Sequence, residues 1–125
     1  MKLTKDVKII LLNAEAKALA TSNKKDINVV PVSSIKIVGD KIWLVDYFFD
    51  KTAKNIKENP KAALTFWTGL RGYQIKANIT YVKEGEIFTE AKKWISETHP
   101  NREVKGVLIL TILDIFDISI HNKQL

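Results

Sequence analysis

The spacing of apolar residues changes several times along the chain, and each change marks an element. Over residues 4–14, Val7, Ile10, Leu11 and Ala14 recur at helical spacing, with Thr4 placed to cap the helix. Residues 16–22 read as a short strand, 23–26 as a polar hairpin turn, and 27–38 as one long strand. Pro31 removes a ladder donor from that strand, so it marks an edge, a bulge or a point where the strand leaves the sheet. After the turn at Gly39 and Asp40, Ile42, Trp43, Leu44 and Val45 form a run typical of a buried strand. Residues 46–50 carry Tyr47, Phe48 and Phe49 into a loop. A short helix begins at Lys51, with Ala53 and Ile56 inward, Lys54 and Lys57 outward, and Asn59-Pro60 as its stop.

Residues 62–67 read as another strand and 68–72 as a flexible connection. From 73 to 82 the alternation is strict: Tyr73, Ile75, Ala77, Ile79 and Tyr81 on one face, Gln74, Lys76, Asn78 and Thr80 on the other. Such a strand is half solvated, or its polar face lines a site. Glu84-Gly85 turns the chain into a helix over 86–98 that places Ile87, Ala91, Trp94 and Ile95 on one face. The last strand, 104–120, is long enough to bend, and residues 121–125 have no pattern of their own. The order is helix, three strands, short helix, two strands, helix, strand. Six short antiparallel strands joined by tight turns, with helices inserted between them, predict a mostly β fold built as a small closed barrel.

The chain has 125 residues, enough for one domain with a real core. It contains no cysteine, which excludes disulfides, thiol catalysis and thiolate metal sites. His99 and His121 have no partners at ligand spacing, so no metal site is expected and both read as surface residues. The basic N-terminal stretch lacks the pattern of a signal peptide, and the most apolar segment, 107–120, is short for a membrane span and contains Asp114 and Asp117. The expectation is a cytoplasmic protein with no membrane partner. Net charge is +6, carried by 18 lysines and only Arg71 and Arg102. Base and phosphate recognition in nucleic acids leans on arginine forks, and these lysines are scattered, which speaks against a nucleic-acid partner and for solubility plus one phosphate site.

The strand, aromatic loop and helix start at 42–60 have two readings. The first turn of a helix has unpaired N–H groups and a positive dipole end, to which Lys51 adds a cation and Thr52 a hydroxyl, so it suits a phosphate. Alternatively Asp50 is an ordinary N-cap and the lysines are solvated.

The order and spacing of these units, from the strand at 16–22 through Pro31-Val32-Ser33-Ser34 and the Lys51-Thr52 helix with its Asn59-Pro60 stop to Val82, is similar to the FMN-binding split-barrel family, the pyridoxamine 5′-phosphate oxidase-like group. The chain most resembles the minimal single-domain FMN-binding proteins, which implies one FMN-binding domain over 1–125 with a six-stranded antiparallel split β-barrel. The resemblance implies a homodimer with the flavin between subunits. It places Pro31, Val32, Ser33 and Ser34 along the flavin ring, and Val45, Asp46 and Tyr47 by the ring or ribityl chain. Lys51 and Thr52 would hold the phosphate. Trp67, Gln74 and Lys76 would reach the same cofactor from the partner subunit. Each has a structural alternative: Pro31 as a strand bend, Trp67 as packing, Lys76 as a solvated lysine. Arg71 reads as unliganded, and Trp94 and Ile95 as a seam between helix and barrel.

The chain departs from pyridoxamine phosphate oxidases by having no arginine after Arg102, where those enzymes carry an arginine-rich substrate segment. Oxidation of pyridoxamine phosphate is therefore not expected. The implied role is redox, either as an oxidoreductase using NAD(P)H or a small molecule, or as an FMN carrier or electron-transfer protein. A deazaflavin or haem in the same fold, and a basic barrel binding nucleic acid, are the alternatives.

Overall fold

The computed structural model describes residues 2–120. Its elements run α1 (Lys5–Asn13), β1 (Ala16–Ser22), β2 (Ile27–Pro31), β3 (Ile35–Val38), β4 (Lys41–Asp46), α2 (Asp50–Glu58), β5 (Lys61–Thr68), β6 (Arg71–Val82), α3 (Glu86–Thr98) and β7 (Gly106–Asp117). All strand pairs are antiparallel, and the sheet order is β2-β1-β5-β6-β7-β4-β3.

Seven strands replace the expected six because the segment 27–38 is two strands. Pro31 ends β2 opposite Ala18, and the Val32 N–H bonds the Lys17 carbonyl at 3.0 Å. The chain then crosses to the far edge, where the Ser34 carbonyl accepts from the Val45 N–H at 3.2 Å and β3 pairs with β4. Proline has no N–H to continue the ladder, and the strand leaves the sheet there.

That crossing dictates the shape. Six spacings of about 4.8 Å would put the edges of a flat seven-stranded sheet about 29 Å apart. Pro31 and Ile35 are four residues apart, so the two edges lie within about 14 Å. The sheet must curl until β2 and β3 approach. No ladder joins them, so the barrel is split rather than closed.

Inward-facing residues fill the curl. Leu19, Ile42, Leu44, Leu64, Phe66, Ile75, Leu108 and Leu110 are fully buried in one core, and α1 adds Val7 and Leu11 to it. Thr4 caps α1 as expected, its Oγ1 accepting from the Val7 N–H at 3.3 Å. β7 carries a bulge: Lys76 lies opposite Asp114 and Ala77 opposite Ile112, which leaves Leu113 as the extra residue and bends the strand. On the outside, α3 packs Ala91 and Ile95 against Trp43, Val45, Val104 and Val107, which bears out the seam expected at Trp94 and Ile95.

Candidate functional site

The corner between β4 and α2 is built on Asp46. This carboxylate is buried, and both oxygens are used: Oδ1 accepts from the Phe49 N–H at 2.5 Å, and Oδ2 from the Tyr81 hydroxyl. Its carbonyl accepts from the Lys105 N–H at 2.8 Å, which ties the α3–β7 loop to the same point. Burial, and then the hydrogen bond and charge of Asp46, push the Tyr81 phenol well above its usual range. A Cβ on Gly106 would collide with the Tyr81 ring, so glycine is required there for steric reasons. The turn buries Phe49 and leaves Phe48 73% exposed.

Asp50 is the first helical residue, not the N-cap. Phe49 takes the cap position without a side-chain bond, while Asp50 pairs with Lys54 at 3.5 Å on the exposed side. The turn before the helix is stabilised instead by Asp46, four residues earlier than the expected cap. The underside of α2 also differs from expectation. Thr52 and Asn55 are buried alongside Ile56, and Ala53 is only half-buried. The Asn28 amide donates to Thr52 Oγ1 at 3.0 Å, and Asn55 donates to Thr21 Oγ1 at 3.2 Å. Asn55 Oδ1 accepts from the Asn23 amide at 2.6 Å, and the Asn59 amide donates to Ser22 Oγ at 3.2 Å. A polar seam thus fastens α2 to the β1–β2 hairpin. Sequence reading missed it, although Thr52, Asn55 and Asn59 at three- and four-residue spacing were its signal.

The twelve candidate residues divide into two groups. Around the corner, Ser33 is exposed and Ser34 is buried, with its Oγ 2.6 Å from the Tyr47 hydroxyl. Ser33, Tyr47 and Phe48 line a pocket of about 440 Å3 with Arg102, Glu103 and Lys105. The Arg102 guanidinium lies 5.4 Å from the centre of the Tyr47 ring. Lys51 is exposed in the first turn of α2. Three neighbours offer less open chemistry. Thr52 is 1% exposed and bonded to Asn28, Val32 belongs to the core, and Val45 packs against Ile95 and Val104. Pro31 is exposed at the end of β2.

Trp67, Gln74 and Lys76 form the second group, on the outward side of β5 and β6. Lys76 sits between Ala63 and Asp114, and Gln74 between Thr65 and Phe116. Lys76, Lys61, Ala20, Ala63, Ile27 and Leu113 line a concavity of about 710 Å3 with no carboxylate among its lining residues. Asn78, next along the same face, keeps a buried Oδ1 without a hydrogen-bond partner among the described residues. Arg71 and His99 are exposed, and His121 lies outside the described residues. Among the described residues no three His, Asp or Glu side chains gather as a metal site, and no helix is long and apolar enough to cross a membrane.

A split, antiparallel barrel with a crossing at 31–35 and a basic helix start beside an aromatic corner defines a class, and the class is shown by comparison. The chain belongs to the pyridoxamine 5′-phosphate oxidase family, whose model matches residues 3–119. An uncharacterised protein of Methanocaldococcus jannaschii is 33% identical over 124 residues, covering 95% of this chain and 83% of that one. Among solved structures, HupZ of Group A Streptococcus superposes with a TM-score of 0.83 at 25% identity, covering 94% of both chains. An FMN-binding protein of Syntrophomonas wolfei gives 0.80 at 24% identity, covering 94% of this chain and 86% of that one. The haem storage protein HutZ of Vibrio cholerae shares the fold, with a TM-score of 0.72 at 13% identity over 93% of this chain and 94% of its own.

Proposed function

We propose that this chain is a single FMN-binding domain with a redox role, acting as a homodimer. The observation that carries the reading is Lys51, exposed in the first turn of α2 in a chain of the pyridoxamine 5′-phosphate oxidase family. There a cation and the helix dipole act together on a phosphomonoester. Ser33 and Tyr47 lie by the ring, with Ser34 fixing the tyrosine hydroxyl. Thr52 fastens the helix rather than offering an open hydroxyl. Trp67, Gln74 and Lys76 face away from that corner on the outer side of β5–β6, so they meet the cofactor only across a two-fold dimer.

FMN, when bound, supplies one- and two-electron transfer. This chain contributes the phosphate anchor, the aromatic flank and, from Lys76, a positive charge at the pyrimidine edge that favours the reduced state.

An absorption spectrum of the purified protein titrated with FMN tests the reading. A perturbed flavin spectrum with saturable binding supports it, and an unchanged spectrum rejects it. NAD(P)H consumption then separates an oxidoreductase from a carrier or electron-transfer protein. A second reading, haem in place of flavin, has the likeness to HutZ in its favour. Haem binding in the same titration would select it.

A further inference from the structure

We propose that the end of the barrel formed by α1 and the β5–β6 turn is a docking surface for an anionic lipid membrane. The second half of α1 carries four consecutive aliphatic residues, Ile9, Ile10, Leu11 and Leu12. At 3.6 residues per turn a helix spreads such a run over every side and cannot bury it against one neighbour. Leu11 is fully buried with Val7 in the core, whereas Ile9 is 48% and Leu12 55% exposed. A helix that is apolar all round belongs under cover, and the outward side of α1 has none. The adjoining loop extends the same end. Glu15 Oε1 accepts from the Gly69 N–H at 2.9 Å, and the Glu15 N–H donates to Thr68 Oγ1 at 3.1 Å. Those bonds tie the β5–β6 turn to the α1–β1 joint and set Leu70, 56% exposed, at this end of the barrel.

The charges around these side chains select the partner. Lys2, Lys5 and Lys8 are exposed on α1 and just before it, and Arg71 is exposed beside Leu70. Among the described residues none of the four has a carboxylate at ion-pair distance. Lys17 is half-buried, with its Nζ 3.4 Å from the Ala14 carbonyl. The carboxylates at this end are Asp6, Glu15 and Asp117. Glu15 is engaged by Gly69, Asp117 Oδ1 accepts from the Ser119 N–H at 2.8 Å, and Asp6 lies in the first turn of α1, where the helix dipole favours it. The cations outnumber them. Aliphatic side chains standing among lysines fit the boundary of an anionic bilayer, where the aliphatics enter the acyl region and the cations meet the headgroups. α1 lines neither the corner pocket nor the concavity on the outer sheet face, and its convex surface suits a fluid phase that closes round it. A second copy across a two-fold axis would instead set Lys2, Lys5 and Lys8 against themselves. Contact of this kind is with one leaflet and needs no crossing helix.

The test is co-sedimentation of the purified chain with vesicles of phosphatidylcholine alone and of phosphatidylcholine mixed with phosphatidylserine. We expect binding to the mixed vesicles that weakens as salt is raised, and much weaker binding to the neutral ones. Ile9→Ser and Leu12→Ser should each lower the affinity by about fivefold. Lys5→Gln and Lys8→Gln should each lower it by about fivefold as well. All four side chains are exposed, so the variants keep the fold, which urea denaturation checks. Lys24→Gln combined with Lys25→Gln removes as much charge at the β1–β2 turn, the opposite end of the barrel, and should leave binding unchanged. Absence of binding to the anionic vesicles overturns the proposal, as does equal binding to the neutral ones. An equal loss on changing Lys24 and Lys25 overturns it too, since the attraction would then belong to the net charge and not to this face. Binding to polyglutamate but not to vesicles overturns it in favour of an acidic protein partner. Sedimentation velocity without lipid tests the remaining occupant: if Ile9→Ser weakens self-association, the face lies between copies of the chain and the proposal falls.

Discussion

Helices α2 and α3 pack on the same curled sheet and are held there by different physics. α3 is docked by apolar contact: Ala91 and Ile95 are buried against Trp43, Val45, Val104 and Val107, with Phe88 and Trp94 packed beside them. α2 also buries Ile56, but its other fastenings are side-chain hydrogen bonds to Thr21, Ser22, Asn23 and Asn28. Apolar packing is non-directional and tolerates small shifts, whereas hydrogen bonds weaken steeply with misalignment. The helix that needs a fixed position is the one whose first turn would receive a phosphate, and that helix has the directional seam. α3 contributes stability, and α2 contributes placement.

The largest effect expected from breaking this contrast is at Ile95. Ile95→Ala opens a cavity in the α3 seam and should cost about 3 kcal/mol of unfolding free energy, read by urea denaturation. FMN affinity of the protein that remains folded should be unchanged. Asn55→Ala removes the bonds to Thr21 and Asn23 beneath α2 and leaves their polar groups unpaired, at a cost of about 2 kcal/mol. Here FMN affinity should fall together with stability. If Ile95→Ala also weakened FMN, or Asn55→Ala did not, the division of labour between the helices would be wrong.

How much of this was legible in the sequence follows the same division. The face of α3 was readable because Ile87, Ala91, Trp94 and Ile95 follow a helical period, and apolar period is a direct record of burial. α2 was read from Ala53 and Ile56 alone, since Thr52, Asn55 and Asn59 look like surface residues until their partners on another hairpin are known. Polar burial depends on pairing, and pairing is not local in sequence. The chain break at Pro31 was readable as a disturbance. That it carries the strand to the opposite edge of the sheet was not, because the β-like patterns on its two sides, 27–30 and 35–38, run on as one. At the corner, Asp50 was the local candidate for a cap, yet it is the first helical residue, and Asp46 instead fixes the turn before the helix because the Tyr81 hydroxyl and the Phe49 N–H converge on it. The two-group division of Tyr47 and Lys51 from Gln74 and Lys76 came from the family likeness. Alternation along β6 was consistent with it and did not require it.

A smaller and more selective effect is expected at Tyr81, which joins the corner to the sheet. Its folded pKa lies above the unfolded value of about 10. A phenol in that position holds its proton in the folded state after the unfolded state has released it. Its contribution is therefore complete below about pH 10 and is lost as pH rises from there toward the folded pKa. Tyr81→Phe should cost about 1 to 2 kcal/mol at neutral pH, by leaving Asp46 Oδ2 without its donor. It should also flatten the decline of stability in base. An unchanged alkaline limb in urea melts of the variant would show that the corner does not depend on this proton.

The smallest effect on the fold should accompany a clear effect on the ligand. Lys51 is exposed and makes no ion pair among the described residues. Lys51→Ala should change unfolding free energy by less than about 0.5 kcal/mol, as surface substitutions away from packed features do. Loss of one charge-assisted contact of about 1.5 kcal/mol should lower FMN affinity by about tenfold. Riboflavin is the control that gives the result its meaning. It has no phosphate for Lys51 to meet, so its affinity should not move. If FMN and riboflavin weakened equally, Lys51 would be acting through the shape of the helix start, and the phosphate would have to be sought at Arg102 and Lys105 in the pocket they line with Phe48.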